Sequence, residues 1–169
     1  MEKLNKFSIL IPVFNEGELI KETIEKILKN VKSNYELIIC YDFDEDNTIQ
    51  IIKENFKDSR ILFVKNLKSG FNSAIITGIQ KTNSDAVLIY MADDNVNSEI
   101  INDIFNKYNE GYEVVCPSRF IKNGKLEGGP FFKSLLTKFA SFILYNFLSF
   151  PVKDSTNSFR LFSRSLLNN

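Results

Sequence analysis

Histidine and tryptophan are both missing from this chain. Without an imidazole, histidine acid–base catalysis and histidine-ligated metal sites are excluded, so any chemistry falls to carboxylates, amides, hydroxyls and cations. Only two cysteines occur, Cys40 and Cys116. Each lies in an apolar, strand-like run and reads as a buried free thiol of a reducing compartment, not as half of a disulfide. Net charge is lacking too, with 21 Lys plus Arg against 21 Asp plus Glu. Such a balance gives no general attraction to nucleic acid or to an anionic membrane, and no nucleic-acid partner is expected. The four prolines and seven glycines are scattered, and no flexible linker, repeat or low-complexity tract interrupts the chain. There is no long hydrophobic run either. The longest, Phe139 to Phe150, is far short of the ~20 residues of a spanning helix and is broken by Ser141, Asn146 and Ser149. The polar start, Met1 to Lys6, leads straight into an apolar run and does not resemble a cleaved signal, so a cytoplasmic location is expected.

At 169 residues, 44% of them hydrophobic, the chain is long enough to bury the core of one domain covering residues 1–169. Apolar, β-rich runs fall at Phe7–Val13, Glu36–Tyr41, Ile61–Val64, Ala86–Met91 and Glu113–Pro117. Their apolarity is continuous, the pattern of strands covered on both faces. Between them, helical spacing links Ile20, Ile24, Ile27 and Val31, then Ile49, Ile52 and Phe56. It recurs at Phe71, Ile75 and Ile79 and at Ile101, Ile104, Phe105 and Tyr108, each set forming one apolar stripe. A fifth helical segment, Phe131–Leu148, precedes a polar turn at Lys153–Ser158. This alternation predicts an α/β fold, a mostly parallel, right-handed sheet flanked by helices. Three well-known α/β signatures are absent: the dinucleotide G-x-G-x-x-G, the phosphate-binding G-x-x-x-x-G-K-S and a pair of acids after the first strand.

Open α/β sheets bind ligands beyond the carboxyl ends of their strands, so chemistry is expected there. The sharpest signal is Ala92-Asp93-Asp94, placed where the run Ala86–Met91 stops. Adjacent carboxylates are hard oxygen ligands that repel one another when both ionise, and a divalent cation removes the repulsion. The blander reading is a polar loop from Asp94 to Ser98 that caps the next helix. The first strand ends in Pro12-Val13-Phe14-Asn15-Glu16, and the second in Tyr41-Asp42-Phe43-Asp44-Glu45-Asp46-Asn47-Thr48. Asn15 also suits a helix N-cap with Glu18 three residues on, and acids before a helix favourably meet its macrodipole. Lys68-Ser69-Gly70 opens another helix, whose amino end favours anions in general, although Gly70 equally suits a simple turn. Further along come Pro117-Ser118-Arg119-Phe120 and Asp154-Ser155-Thr156-Asn157-Ser158-Phe159-Arg160.

In this order the motifs resemble family 2 glycosyltransferases of the GT-A fold, and most closely the dolichol-phosphate mannosyltransferase-like, polyprenyl-phosphate branch. The resemblance covers about residues 7–165. It implies nucleotide-sugar contacts from Pro12, Asn15, Glu16, Asp42, Lys68, Gly70 and Ala92, with Asp46 and Thr48 matching later positions of the second motif. Tyr41 stands where the family has a further Asp, and Asp44 where it has Ser. Asp93 matches the final Asp of the family's D-x-D, which holds Mg²⁺ or Mn²⁺ on the diphosphate. Met91 replaces the first Asp, and Asp94 is the second metal ligand offered. Arg119, Lys133 and Thr137, one helical turn apart in the last two cases, match an acceptor-phosphate cradle that Arg160 extends. Lysine at 133, in place of arginine, gives up bidentate geometry.

The expectation is therefore a metal-dependent, inverting transfer of sugar from a UDP- or GDP-linked donor to a polyprenyl phosphate at the inner membrane face. Asp93, Asp94, Arg119 and Asp154 are its candidate catalytic residues, and Asp154 either orients Arg160 or serves as a base. Residues 131–150 offer peripheral membrane contact, with core packing as the alternative for their aromatics. Two other functions stay open: a GT-A enzyme acting on glycan hydroxyls in capsule or lipopolysaccharide assembly, and a non-catalytic nucleotide-binding module. The resemblance also implies a chain that continues past Asn169 in the family.

Overall fold

The computed structural model describes residues 5–120, 131–148 and 152–168, with side chains from residue 135 onward in the middle stretch. Two compact units emerge, one formed by the chain up to Val115 together with Leu161–Asn169, the other by Cys116–Arg160.

The first unit holds a six-stranded sheet. Its strands are β1 (Phe7–Val13), β2 (Tyr35–Tyr41), β3 (Ile61–Lys65), β4 (Ala86–Ile89), β5 (Val114–Val115) and β6 (Arg160–Ser163), in the order β3-β2-β1-β4-β6-β5. The ladders β1–β2, β1–β4 and β2–β3 are parallel, and β5–β6 is antiparallel. Connecting helices are α1 (Leu19–Asn30), α2 (Asn47–Asn55), α3 (Phe71–Lys81) and α4 (Ile101–Asn109). This is the α/β class that the sequence predicts.

All seven residues of β1 are buried, as a strand clad on both faces must be. Alternation along the strand splits its side chains between those faces. Phe7 stacks on Phe105 of α4 with ring centroids 3.9 Å apart. Leu10 points the other way, into a cluster with Ile38, Cys40, Ala74 and Val87. There α3 approaches so closely that a Cβ on Gly78 would stand 2.3 Å from Leu10 Cδ1. Each fully buried aliphatic in this core contributes roughly 1.5–3 kcal/mol of transfer free energy.

Pro12 is buried within β1, where a missing N–H would ordinarily break the ladder. It is tolerated because the β1–β4 register ends at Leu10↔Ile89, so the side of β1 that Pro12 would serve has no strand left. At the amino edge, Glu36 is buried yet charged. Its carboxylate pairs with Lys6 and accepts from Ser8 Oγ (2.7 Å), Thr82 Oγ1 (2.5 Å) and Ser84 Oγ (3.1 Å).

Several boundaries differ from expectation. β4 stops at Ile89, so Tyr90 and Met91 lie outside it, and β5 keeps only two residues. The sequence does not announce β6, because Arg160–Ser163 is only four residues long with two apolar residues at its centre, and it pairs antiparallel to β5. The capping alternative for Asn15 is not realised: α1 begins at Leu19, and Asn15 adopts the left-handed conformation, φ 53°. Cys40 is a buried free thiol as expected, whereas Cys116 is only half-buried.

In the second unit, α5 spans Phe131–Phe147 and is followed by the turn-rich stretch from residue 152. Its described apolar side chains are mostly exposed, Leu136 at 68% and Phe139 at 60% among them. Core packing, the alternative reading for these aromatics, therefore does not account for them within the described residues. No helix among the described residues is long and apolar enough to cross a membrane.

Candidate functional site

The chain runs from β1 out to β2 and β3, then returns to β4 on the other side of β1. Strand order thus reverses between β1 and β4, and the loops after those two strands open the crevice in which such sheets bind ligands. Register aligns the ends of β1, β2 and β3 through Val13↔Tyr41 and Tyr41↔Lys65. Phe14, Asp42 and Asn66 consequently emerge side by side.

The loop after β1 is fastened to the start of α2. The backbone amide of Asn15 donates to Asp46 Oδ2 (3.1 Å), that of Glu16 to Thr48 Oγ1 (2.9 Å) and that of Gly17 to Asn47 Oδ1 (3.1 Å). Asp46 is also the N-cap of α2, accepting from Thr48 N at 2.8 Å with its other oxygen. The Asp-x-Thr segment thereby acts as a buried clamp that caps its own helix and sets the neighbouring loop. Asn15 and Glu16 are left with their side chains at the crevice, exposed and half-buried respectively.

Asp42 is half-buried at the end of β2. It accepts from Asn66 Nδ2 (2.7 Å) through one oxygen and from the Gly70 amide (2.8 Å) through the other. Gly70 is the N-cap of α3 at φ 111°, a conformation open to glycine and strained for other residues. Asn66, which sequence reasoning missed, is the hub of this corner. Its Oδ1 accepts from Ser73 Oγ and Thr77 Oγ1, both at 2.9 Å, and its backbone N–H donates to Tyr41 O at 2.7 Å. A polar residue directly after the predicted strand Ile61–Val64 and its closing lysine was the available signal. Lys68 is exposed beside this corner.

After β4, Ala92 is buried and its carbonyl accepts from Thr23 Oγ1 of α1 at 2.7 Å. That bond fixes the turn presenting Asp93, which is exposed. Burial pushes the Glu16 carboxyl above its ordinary value, and the nearby charge of Asp93 pushes it further. The loops after β1 and β4 thus bring two carboxylates, Glu16 and Asp93, to the same crevice. Asp94 is tied into its own loop: it accepts from Val96 N (3.1 Å), Asn97 N (2.9 Å) and Asn97 Nδ2 (2.6 Å). Among the described residues no three acids are grouped to hold a metal on their own. The donor set fits a cation that draws one or two carboxylates from the protein and its remaining ligands from a bound diphosphate.

The second unit gathers the basic residues. Arg119 grips Asp154 in a two-pronged pair, Nε to Oδ2 and Nη2 to Oδ1, each 2.7 Å, and its backbone amide adds a third bond at 3.1 Å. The Asp154 side chain is fully buried in this pair. Although burial raises its pKa, the Arg119 bonds prevail and hold it below the usual carboxylate range. Arg160 does not receive the Asp154 carboxylate, contrary to one expectation. It donates to the carbonyls of Asn157 (2.6 Å), Ser155 (2.5 Å) and Asp154 (3.3 Å), tying the 154–157 turn. Thr137 is half-buried on α5. The Lys133 side chain lies outside the described residues.

A model of the family described as Glycosyl transferase family 2 matches residues 8–169. The dolichol-phosphate mannosyltransferase of Pyrococcus furiosus is 28% identical over 91% of the chain and 45% of its own length. The undecaprenyl-phosphate 4-deoxy-4-formamido-L-arabinose transferase of Proteus mirabilis is 34% identical over 70% of the chain and 38% of its own length. The chain spans about half the length, or less, of the curated relatives it matches. Among solved structures, glucosyl-3-phosphoglycerate synthase from Mycobacterium tuberculosis, in complex with Mn²⁺, UDP and phosphoglyceric acid, superposes with a TM-score of 0.71. It is 20% identical and covers 96% of this chain and 57% of that one. S. aureus TarS gives 0.68 at 18% identity, over 96% and 48%. At such identities these two structures speak for the fold.

Proposed function

Because the chain belongs to glycosyl transferase family 2, we propose that it transfers a sugar from a nucleoside-diphosphate sugar to a polyprenyl phosphate, with a divalent cation and inversion at the anomeric carbon. The observation that carries the donor half is the acidic pair Glu16–Asp93 at the switch point between β1 and β4. Asp93 would hold Mg²⁺ or Mn²⁺ there, and the cation would neutralise charge on the departing diphosphate in a chain that has no histidine to protonate it. Asn15, Glu16 and Asp42 meet the nucleoside, Asp42 being held rigid by Asn66 and Gly70. Ala92 and Lys68 flank the diphosphate.

The acceptor half rests on the state of Asp154. An acceptor hydroxyl needs a base to take its proton, whereas a phosphate is already an anion and needs only positioning. Asp154, one candidate base, is held ionised by Arg119 and is a weak proton acceptor. Asp94, the other, spends both oxygens on Asn97. The phosphate oxygen attacks the anomeric carbon as the sugar–diphosphate bond breaks, and no proton need move. Polyprenyl phosphate is also the acceptor that the names of two relatives share in kind. The exposed apolar face of α5 suits a membrane interface at the cytoplasmic side.

Calorimetry with UDP- and GDP-sugars, with and without Mn²⁺, tests the donor half on wild type and Asp93→Asn. Metal-dependent binding of one nucleotide, lost in the variant, is expected. Metal-independent binding, or turnover with a glycan hydroxyl but not with a short prenyl phosphate, would overturn the reading.

A further inference from the structure

The second unit contains a cavity of about 650 Å³ lined in part by Arg119, Lys138 and Lys153 and by the rings of Phe120, Phe142 and Tyr145. Among the described residues no acidic side chain lines it. The cations are not equivalent. Arg119 is neutralised by Asp154 and also donates to Thr156 Oγ1 at 2.8 Å. Lys138 and Lys153 enter none of the ion pairs among the described residues. Lys153 instead stands 5.7 Å from the centre of the Tyr145 ring. The cavity thus joins two ammonium groups of uncompensated charge to an aromatic wall, and its net positive charge resides on those lysines.

We infer that this cavity binds a phosphate monoester carried on an apolar chain, with Lys138 and Lys153 holding the phosphate and the aromatic wall holding the first apolar groups. Arg119 is then a positioning residue, whose pairing with Asp154 fixes the cavity wall while the lysines supply the attraction. The inference rests on the proposed acceptor and assigns its binding to two residues that do not belong to the Arg119–Lys133–Thr137 motif. Two exposed ammonium groups leave the anion its hydration until apolar contact displaces water. The cavity therefore favours a prenyl phosphate over inorganic phosphate.

The test is titration of the whole chain with a short prenyl monophosphate, with inorganic phosphate, and with phosphatidylcholine vesicles containing phosphatidylglycerol. Prenyl monophosphate should bind at least about tenfold more tightly than inorganic phosphate. The double variant Lys138→Ala/Lys153→Ala should weaken it about tenfold or more, and Lys138→Arg/Lys153→Arg should restore it. UDP binding with Mn²⁺ should be the same in all three proteins and serves as the folding control. Unchanged prenyl-phosphate affinity in the alanine variant would overturn the inference. So would equal affinity for inorganic phosphate, which marks a free-anion site, or full competition by the vesicles, which marks a general lipid surface. If the alanine variant still transfers sugar to prenyl phosphate with an unchanged KM, this cavity is refuted and the proposed function stands. If wild type transfers only to hydroxyls, the proposed function fails.

Discussion

Two carboxylates, one in each unit, start from the same handicap and end in opposite states. Glu16 and Asp154 are both taken partly out of water, and burial raises the pKa of each. For Glu16 the next neighbour is another acid, Asp93, and the shift grows. For Asp154 it is Arg119, and the shift reverses. The first unit therefore presents negative charge at its crevice, and the second hides its acid and leaves lysines to face the cavity. Burial sets the direction for Glu16 and a neighbouring acid adds to it, whereas for Asp154 the hydrogen bonds and charge of Arg119 outweigh burial.

The largest effect is expected from removing the partner that loads Glu16. On the proposed metal-dependent reading, Asp93→Asn should lower transfer by roughly a thousandfold, the several kcal/mol of charge stabilisation that a bound cation would supply. The Glu16 carboxyl should titrate closer to its ordinary value in the same variant, which carboxylate NMR would follow; an unmoved Glu16 would mean that burial alone governs it. Next in size, Asp154→Ala strands Arg119 without its partner and should cost about 3 kcal/mol in urea unfolding. Restored stability in Asp154→Ala/Arg119→Met would identify the lost pair as the cause. Gly78→Ala addresses the first unit away from its charges. The added methyl meets Leu10 in the core and should cost about 1–3 kcal/mol, with nucleotide affinity unchanged.

The smallest effect is a pH dependence. Burial alone would raise the Glu36 pKa, but hydrogen bonds from Lys6, Thr82 and Ser8 hold it below its ordinary 4.5. A group with a folded value below its unfolded one stabilises fully above the unfolded value and loses that contribution as pH falls through the folded value. Unfolding midpoints should therefore hold at neutral pH and decline below 4.5. Glu36→Gln should flatten that part of the decline, leaving the part due to Asp154, whose ordinary value is 3.8.

Much of this was legible in the chain. β1 and β2 announce themselves because strands covered on both faces must be apolar throughout, and Asp93 stands out because an apolar run ends in front of it. Gly70 could be placed at a helix start, and Asp42 at a strand end. Asn66 could not be recognised, since its importance comes from a register that sets β3 beside β2 and so brings it to Asp42. The Asp46–Thr48 clamp was similarly hidden: as a sequence it is a helix cap, and only the adjacency of β1 and β2 turns it toward the Asn15–Gly17 amides. Asp94 reads equally as a metal ligand and as a cap; in the fold its carboxylate is tied to Val96 and Asn97 of its own loop.

The same division holds for the second unit. Arg119 and Asp154 were both flagged, but their partnership spans 35 positions of sequence separation, and composition carries no information about which cation an acid will meet. That Lys138 and Lys153 share one cavity is a product of the fold, since 15 positions of sequence, with residues 149–151 outside the described stretch, give no sign of it. By itself the sequence determined the alternation of strand and helix, the exclusion of imidazole chemistry and the points where carboxylates leave the sheet, because periodicity and residue type act locally. Which charges compensate one another was decided by the tertiary structure alone, because Coulomb energies depend on distance and burial, and those exist only once the chain has folded.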